Sequence, residues 1–232
     1  MPYDKLASDT RKITKTIFSS LLRNWGKKYK VKLPSRNDFE IKHSSMLVSV
    51  KLKTSFIENG EFDIDADTHA TFDNLAVINI HLFYDASTRN NLQDLYYELR
   101  GVIRHELEHV AQIGHSINEE SNYNNLITKQ RHKLFGQGKT LDEWTIEENS
   151  IINRFNNGSF IDYVIQIAEL DAFCRGFYTQ ACLSRQPVKN IINNYLSDCI
   201  SLMRLSQSEA VKCKYWIDTR MINIFPISKE SV

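Results

Sequence analysis

The sequence predicts an α+β fold, with a helix and a small sheet in the first half and helices through the second. Three observations carry this. First, "LAVINIHLFY" (75–84) alternates like a strand, with Val77, Asn79, His81 and Phe83 on one face and Ile78, Ile80, Leu82 and Tyr84 on the other. Second, from residue 90 the apolar period changes to that of a helix. Third, the pattern stays helical beyond residue 160, with one restart at Pro187.

The elements follow in order. Leu6, Ile13, Ile17, Leu21 and Trp25 recur at helical spacing and predict an amphipathic helix over 4–29, ended before Pro34. "MLVSVKLK" (46–53) is β-branched and alternating, which predicts a strand. Asn59-Gly60 marks a turn, with a short strand over 61–66. The strand 75–84 leads into a helix over 91–114. The polar stretch 116–138 has little apolar periodicity and is expected to be a loop or lid. Thr140 and Glu143 have capping-box spacing, as do Ser159 and Asp162, and they predict helices over 140–154 and 160–183. One or two further helices are expected between Pro187 and about residue 223. The whole is expected to be a single domain, 1–232, with residues 1–115 supplying the first helix, the sheet and a histidine-rich helix, and 139–232 the helical part.

Composition narrows the class. The 232 residues are 42% hydrophobic and 25% charged, with net charge +1, as in an ordinary globular protein. No run approaches the about 18 apolar residues that suggest a membrane span, so no membrane partner is expected. The N-terminus has no apolar stretch of the signal-peptide kind. Cys174, Cys182, Cys199 and Cys213 form no CxxC pair, which predicts thiols in a reducing compartment. A cytoplasmic location, in a bacterium or an infected host cell, is the expectation, and the Asn-, Ile- and Lys-rich composition suits a phage or bacterium. Charge is uneven along the chain: residues 1–53 carry thirteen Lys/Arg against four Asp/Glu, and residues 54–123 carry three against thirteen. An acidic cleft there would favour cationic substrate segments, although faces also drift in sign without function. The basic N-terminal segment lacks the interleaved aromatics or the recognisable module of a nucleic-acid binder, so no nucleic-acid partner is expected.

The chemistry concentrates in "RHELEHVAQIGH", Arg104 to His115. Two histidines at i and i+4 share a helix face about 5–6 Å apart. That allows both imidazoles to bind one tetrahedral zinc ion, and it lets the glutamate after the first histidine serve as general base. With His105 at zero on a wheel of about 100° per residue, His109 lies near 40° and Glu98 near 20°. Glu106 lies near 100°, inside the apolar arc, where an unpaired carboxylate is costly. Arg104 and Glu108 fall on the opposite arc and are expected to be an exposed surface ion pair.

"VIRHELEHVAQ" resembles the extended active-site helix of the zincin metallopeptidases, with Glu108 standing where that family usually has an uncharged residue. The resemblance implies a zincin-like fold, and it implies that the strand before the metal helix is an edge strand. A peptide substrate would lie extended along residues 77–83 by strand addition.

For the third ligand the sequence offers two candidates. His115 has the spacing of HExxHxxGxxH, which resembles the metzincins, but the glycine that allows the sharp turn is replaced by Gln112, and Gly114 stands beside His115. With Gln112 the helix is expected to continue. Glu169, in "IQIAELDAFCRGF", lies on a narrow polar stripe with Asp162, Gln166, Gly176 and Gln180 of an otherwise apolar helix. That placement is similar to the gluzincins, whose third ligand is a glutamate on a later helix, and to the Glu-x-x-Ala pattern of small bacterial and phage-encoded zincin-like proteins. Glu169 is the favoured candidate. Glu98, Asp162 and Asp171 are candidates to orient a histidine. Tyr178, Arg175, Tyr163 and Tyr123 are candidates to stabilise a developing oxyanion.

The expected function is zinc-dependent hydrolysis of a peptide bond, with His105, His109 and Glu169 holding Zn2+ and Glu106 as the catalytic base. The alternative is a zincin-like binding or structural protein, viral in origin, without turnover.

Overall fold

Helix α1 spans Ala7–Asn24. Its inner face is Ile13, Ile17 and Leu21, all at most 1% exposed. Thr10 and Thr14 also face inward, and their hydroxyls donate to the carbonyl oxygens of Leu6 and Thr10, at 2.8 and 2.7 Å. Bonding back along the helix lets a polar residue be buried without an outside partner.

The computed structural model describes residues 5–25, 38–41, 46–58, 61–70, 75–85, 87, 91–118 and 160–225. The helix expected at 140–154, most of the loop expected at 116–138, and Tyr123 lie outside the described residues. What is described is an α+β protein with a small mixed sheet.

The strands are β1 (Asp38–Ile41), β2 (Met46–Phe56), β3 (Phe62–Ala70) and β4 (Leu75–Tyr84), arranged in the order β1-β2-β4-β3. β2 and β4 are parallel, while β1 pairs with β2 and β3 with β4 antiparallel. β4 has the bounds the alternation predicts. β1 is an additional short strand, four residues of which Phe39 and Ile41 are buried; it is too brief to show a period.

One expectation is overturned. β4 is not an edge strand. Its backbone is paired on both sides, Val77 with Ser49 of β2 and with His69 of β3. The fully alternating burial of β4 fits an inner strand, and β3, next in the order, forms the edge on that side among the described residues. The polar sequence of β3, "FDIDADTHA", suits an edge because charged side chains there deter pairing with other sheets.

Helix α2 (Leu92–Asn118) lies with α1 on one face of the sheet. Ile13 and Ile17 of α1 share a core with Leu99, Ile103, Leu107 and Val110 of α2 and with Val48, Val50, Ile78 and Ile80 of the sheet. The opposite face carries Lys51, Lys53, Asp63, Asp65 and Asp67, all exposed. His81 is on that face, stacked on Phe83 and 2.8 Å from the Ser55 hydroxyl, so it serves cross-strand packing.

The helical half holds α3 (Phe160–Val164), α4 (Ile167–Ser184), α5 (Val188–Ser201) and α6 (Gln207–Ile224). The single helix expected over 160–183 is therefore interrupted at Ile165–Gln166. Gln166 keeps its carbonyl in the new helix, accepting from Leu170 N–H at 2.8 Å, so α4 starts afresh there. Pro187 precedes α5, as the sequence predicts. A full capping box of Ser206 and Glu209 opens α6.

The chain divides into two compact units, Met1–Gly114 with Arg175–Arg185, and His115–Cys174 with Gln186–Val232; α4 runs through both. Within the second, Asp171 of α4 forms a two-pronged ion pair with Arg220 of α6. Cys174, Cys199 and Cys213 are buried free thiols and Cys182 is exposed. No helix among the described residues is long and apolar enough to cross a membrane.

Candidate metal centre

The HELEH segment lies in the middle of α2, where both histidines project from one face. Their Nε2 atoms approach to 3.1 Å and their rings are nearly perpendicular, at 78°. Two nitrogens bound to one zinc at about 2.0–2.1 Å in tetrahedral geometry stand about 3.3 Å apart. The pair therefore has nearly the spacing that shared ligation requires. Nδ1 of His109 faces Oε1 of Gln112 at 3.1 Å. With the amide oxygen as acceptor, Nδ1 carries the proton and the Nε2 lone pair is left for a metal.

The close packing of α4 on α2 is set by two glycines. A Cβ placed on Gly176 would lie 3.5 Å from that of His105 and 3.0 Å from the carbonyl oxygen of Gly101. Glu169 is seven residues earlier on α4, about two turns, and so shares the face of Gly176. One oxygen of Glu169 and one ring nitrogen each of His105 and His109 lie within 4.8 Å of one another, and these three are the His/Cys/Asp/Glu group of metal-binding spacing among the described residues. Two imidazoles and a carboxylate are a donor set that suits zinc. As expected, α2 continues through His115 to Asn118, without the sharp turn that a third histidine ten residues on would need.

Glu106 is 4% exposed, as its place in the apolar arc predicts. Its Oε2 accepts from the Thr68 hydroxyl of β3 at 2.7 Å, and its Oε1 is 3.9 Å from His105 Nε2. The carboxylate thus has one oxygen anchored and the other beside a candidate ligand.

Arg104 and Glu108 are the second correction. They are not an exposed pair: Arg104 is only 2% exposed and the Glu108 side chain 13%. Arg104 Nη1 donates to Glu108 Oε2 at 2.9 Å, and Arg175 of α4 stands 3.0 Å from Glu108 Oε1. α4 covers the arc of α2 that a helical wheel leaves open to water. This also engages Arg175, one of the candidates for oxyanion stabilisation. Tyr178 lies about 180° around α4 from Glu169, so the helix turns it away from the cluster.

Among the candidates to orient a histidine, Asp171 is engaged by Arg220. The sequence reading passed over Gln112 in that role, although its i,i+3 spacing from His109 is legible on a helix. It also passed over Thr68, which no local pattern could have found, since β3 meets α2 only through the sheet register. Comparison with protein-family models, with curated proteins and with solved structures yields no match.

Proposed function

We propose that this chain is a zinc-dependent metallopeptidase of the zincin kind, in which His105, His109 and Glu169 would hold the ion and Glu106 is the general base. The observation that carries the reading is the grouping of one ring nitrogen each of His105 and His109 with a Glu169 oxygen, beside an oriented, buried Glu106 carboxylate. Zinc, when bound, would polarise a water and the scissile carbonyl and so lower the barrier to hydrolysis. Glu106 would accept the proton from the attacking water and return it to the leaving amine. A carboxylate is suited to this because it accepts and releases a proton without changing its hydrogen-bonded anchor.

An extended peptide would pair with β3, the edge strand next to β4, and not with β4 itself. Asp63, Asp65 and Asp67 are exposed along β3, which favours cationic segments in the substrate.

Metal analysis of the purified chain is the test. One zinc per chain is expected, lost in His105→Ala. Glu106→Gln should keep the zinc and lose hydrolysis. Undiminished hydrolysis in Glu106→Gln would remove Glu106 as the base, zinc without hydrolysis in the wild type would make the chain a zinc-holding binding protein, and absence of zinc from the wild type would end the reading.

A further inference from the structure

We infer that Thr68, on β3, is the positioning residue of the Glu106 carboxylate. The inference rests on the metallopeptidase reading and adds a residue to its site. A carboxylate on a flexible side chain can rotate about its last torsion and present either oxygen, or neither, to a neighbouring group. Here the two oxygens are unlike. Oε2 accepts from Thr68 Oγ1 at 2.7 Å, and Oε1 points toward His105 Nε2 at 3.9 Å. Thr68 Oγ1 also lies 3.4 Å from the Glu106 carbonyl oxygen, so the hydroxyl sits against both ends of the residue. With Glu106 4% exposed, there is little water to supply an alternative donor.

The threonine is itself held. Thr68 pairs with Ile78 of β4 and lies on the inner face of β3, which brings its hydroxyl to α2. Thr68 is a β-branched residue in a strand, so its side chain has few rotamers to explore. A short hydrogen bond to a carboxylate oxygen fixes the torsion of that group, and it leaves Oε1 as the oxygen turned toward His105. Thr68 acts on the site through the Glu106 carboxylate that it holds.

The experiment uses the full chain loaded with Co2+, whose visible absorption reports its surroundings. Acetohydroxamate, a metal chelator whose hydroxyl proton a neighbouring carboxylate can accept, is the probe. Wild type, Thr68→Val, Thr68→Ser and Glu106→Gln are compared for metal content, thermal stability, visible spectrum and acetohydroxamate Kd. Thr68→Val should retain one metal per chain and bind the probe about tenfold more weakly, the scale of one charge-assisted hydrogen bond. Glu106→Gln should weaken binding at least as much, and Thr68→Ser should restore wild-type binding and spectrum. Wild-type probe affinity in Thr68→Val, or no recovery in Thr68→Ser, overturns the inference while leaving the metal reading intact. Failure of the wild type to take up metal overturns both, and is distinguished by the metal content alone.

Discussion

Gly101 of α2 and Gly176 of α4 each leave room for the other's backbone: a Cβ on Gly176 would stand 3.0 Å from the Gly101 carbonyl oxygen, and one on Gly101 3.2 Å from that of Gly176. Both contacts are with backbone, which cannot swing aside as a side chain can. Gly176→Ala should therefore force the two helices apart and cost about 1–3 kcal/mol, the usual range for overpacking. Because Glu169 is on the same helix, zinc affinity should fall as well. Urea denaturation and a chelator competition assay measure the two effects; an unchanged affinity would show that α4 does not set the site.

Glu169→Ala should weaken zinc binding by more than about 100-fold, beyond the 10–100-fold typical of a residue that only supports a ligand. Gln112→Ala should fall within that supporting range, through the loss of its contact with His109. His115→Ala should leave affinity unchanged, because α2 continues through it. Competition with a coloured chelator ranks the three variants. A large loss in His115→Ala would reverse the choice of third ligand.

Glu108→Ala removes one carboxylate from beside Arg104, which is only 2% exposed, and from beside Arg175. Breaking a buried pair from one side costs about 3–5 kcal/mol. The expected result is a strongly lowered denaturation midpoint. A loss below about 1 kcal/mol, the value of a surface ion pair, would show that water reaches Arg104.

Tyr84 is fully buried, and its hydroxyl has no hydrogen-bond partner among the described residues. Burial also raises its pKa. Tyr84→Phe should leave stability unchanged or raise it by about 1 kcal/mol, since an unsatisfied buried hydroxyl is itself a cost. Thermal unfolding of the variant decides it; a clear loss would mean that the hydroxyl is satisfied after all.

Burial pushes the Cys213 thiol up to about 12. A thiol whose pKa is raised by folding contributes stability that is complete below its unfolded value and is lost as pH rises toward the folded one. The midpoint of urea unfolding should thus decline between about pH 9 and pH 12, and less steeply in Cys213→Ala. Near pH 8, iodoacetamide should label exposed Cys182 in the native chain, and Cys174, Cys199 and Cys213 only after denaturation. Rapid native labelling of Cys213 would contradict its burial.

Local pattern was enough for much of the fold. The bounds of β4 came from period-two alternation, and the restart at Pro187 came from the chemistry of one residue. The burial of Glu106 was legible because a helical wheel places it among apolar neighbours, and the apolar side of α2 does face the core. Arg104 and Glu108 were misread for the same reason. A wheel shows one helix in isolation, and α4 covers the arc it marks as open. The edge assignment of β4 failed because alternation describes the two faces of a strand and carries no information on what pairs with its backbone.

The sequence by itself determined the α+β class, the HELEH spacing of His105, Glu106 and His109, and Glu169 as the favoured third candidate. These depend on local periodicity and on the chemistry of residue types, which the chain carries wherever it goes. Only the tertiary structure decided that Thr68 holds Glu106 and that β3, not β4, is the edge among the described strands. Both relations join segments that are not neighbours in the sequence. They follow from strand register and from the packing of α2 on the sheet, and no local stretch of sequence encodes either alone.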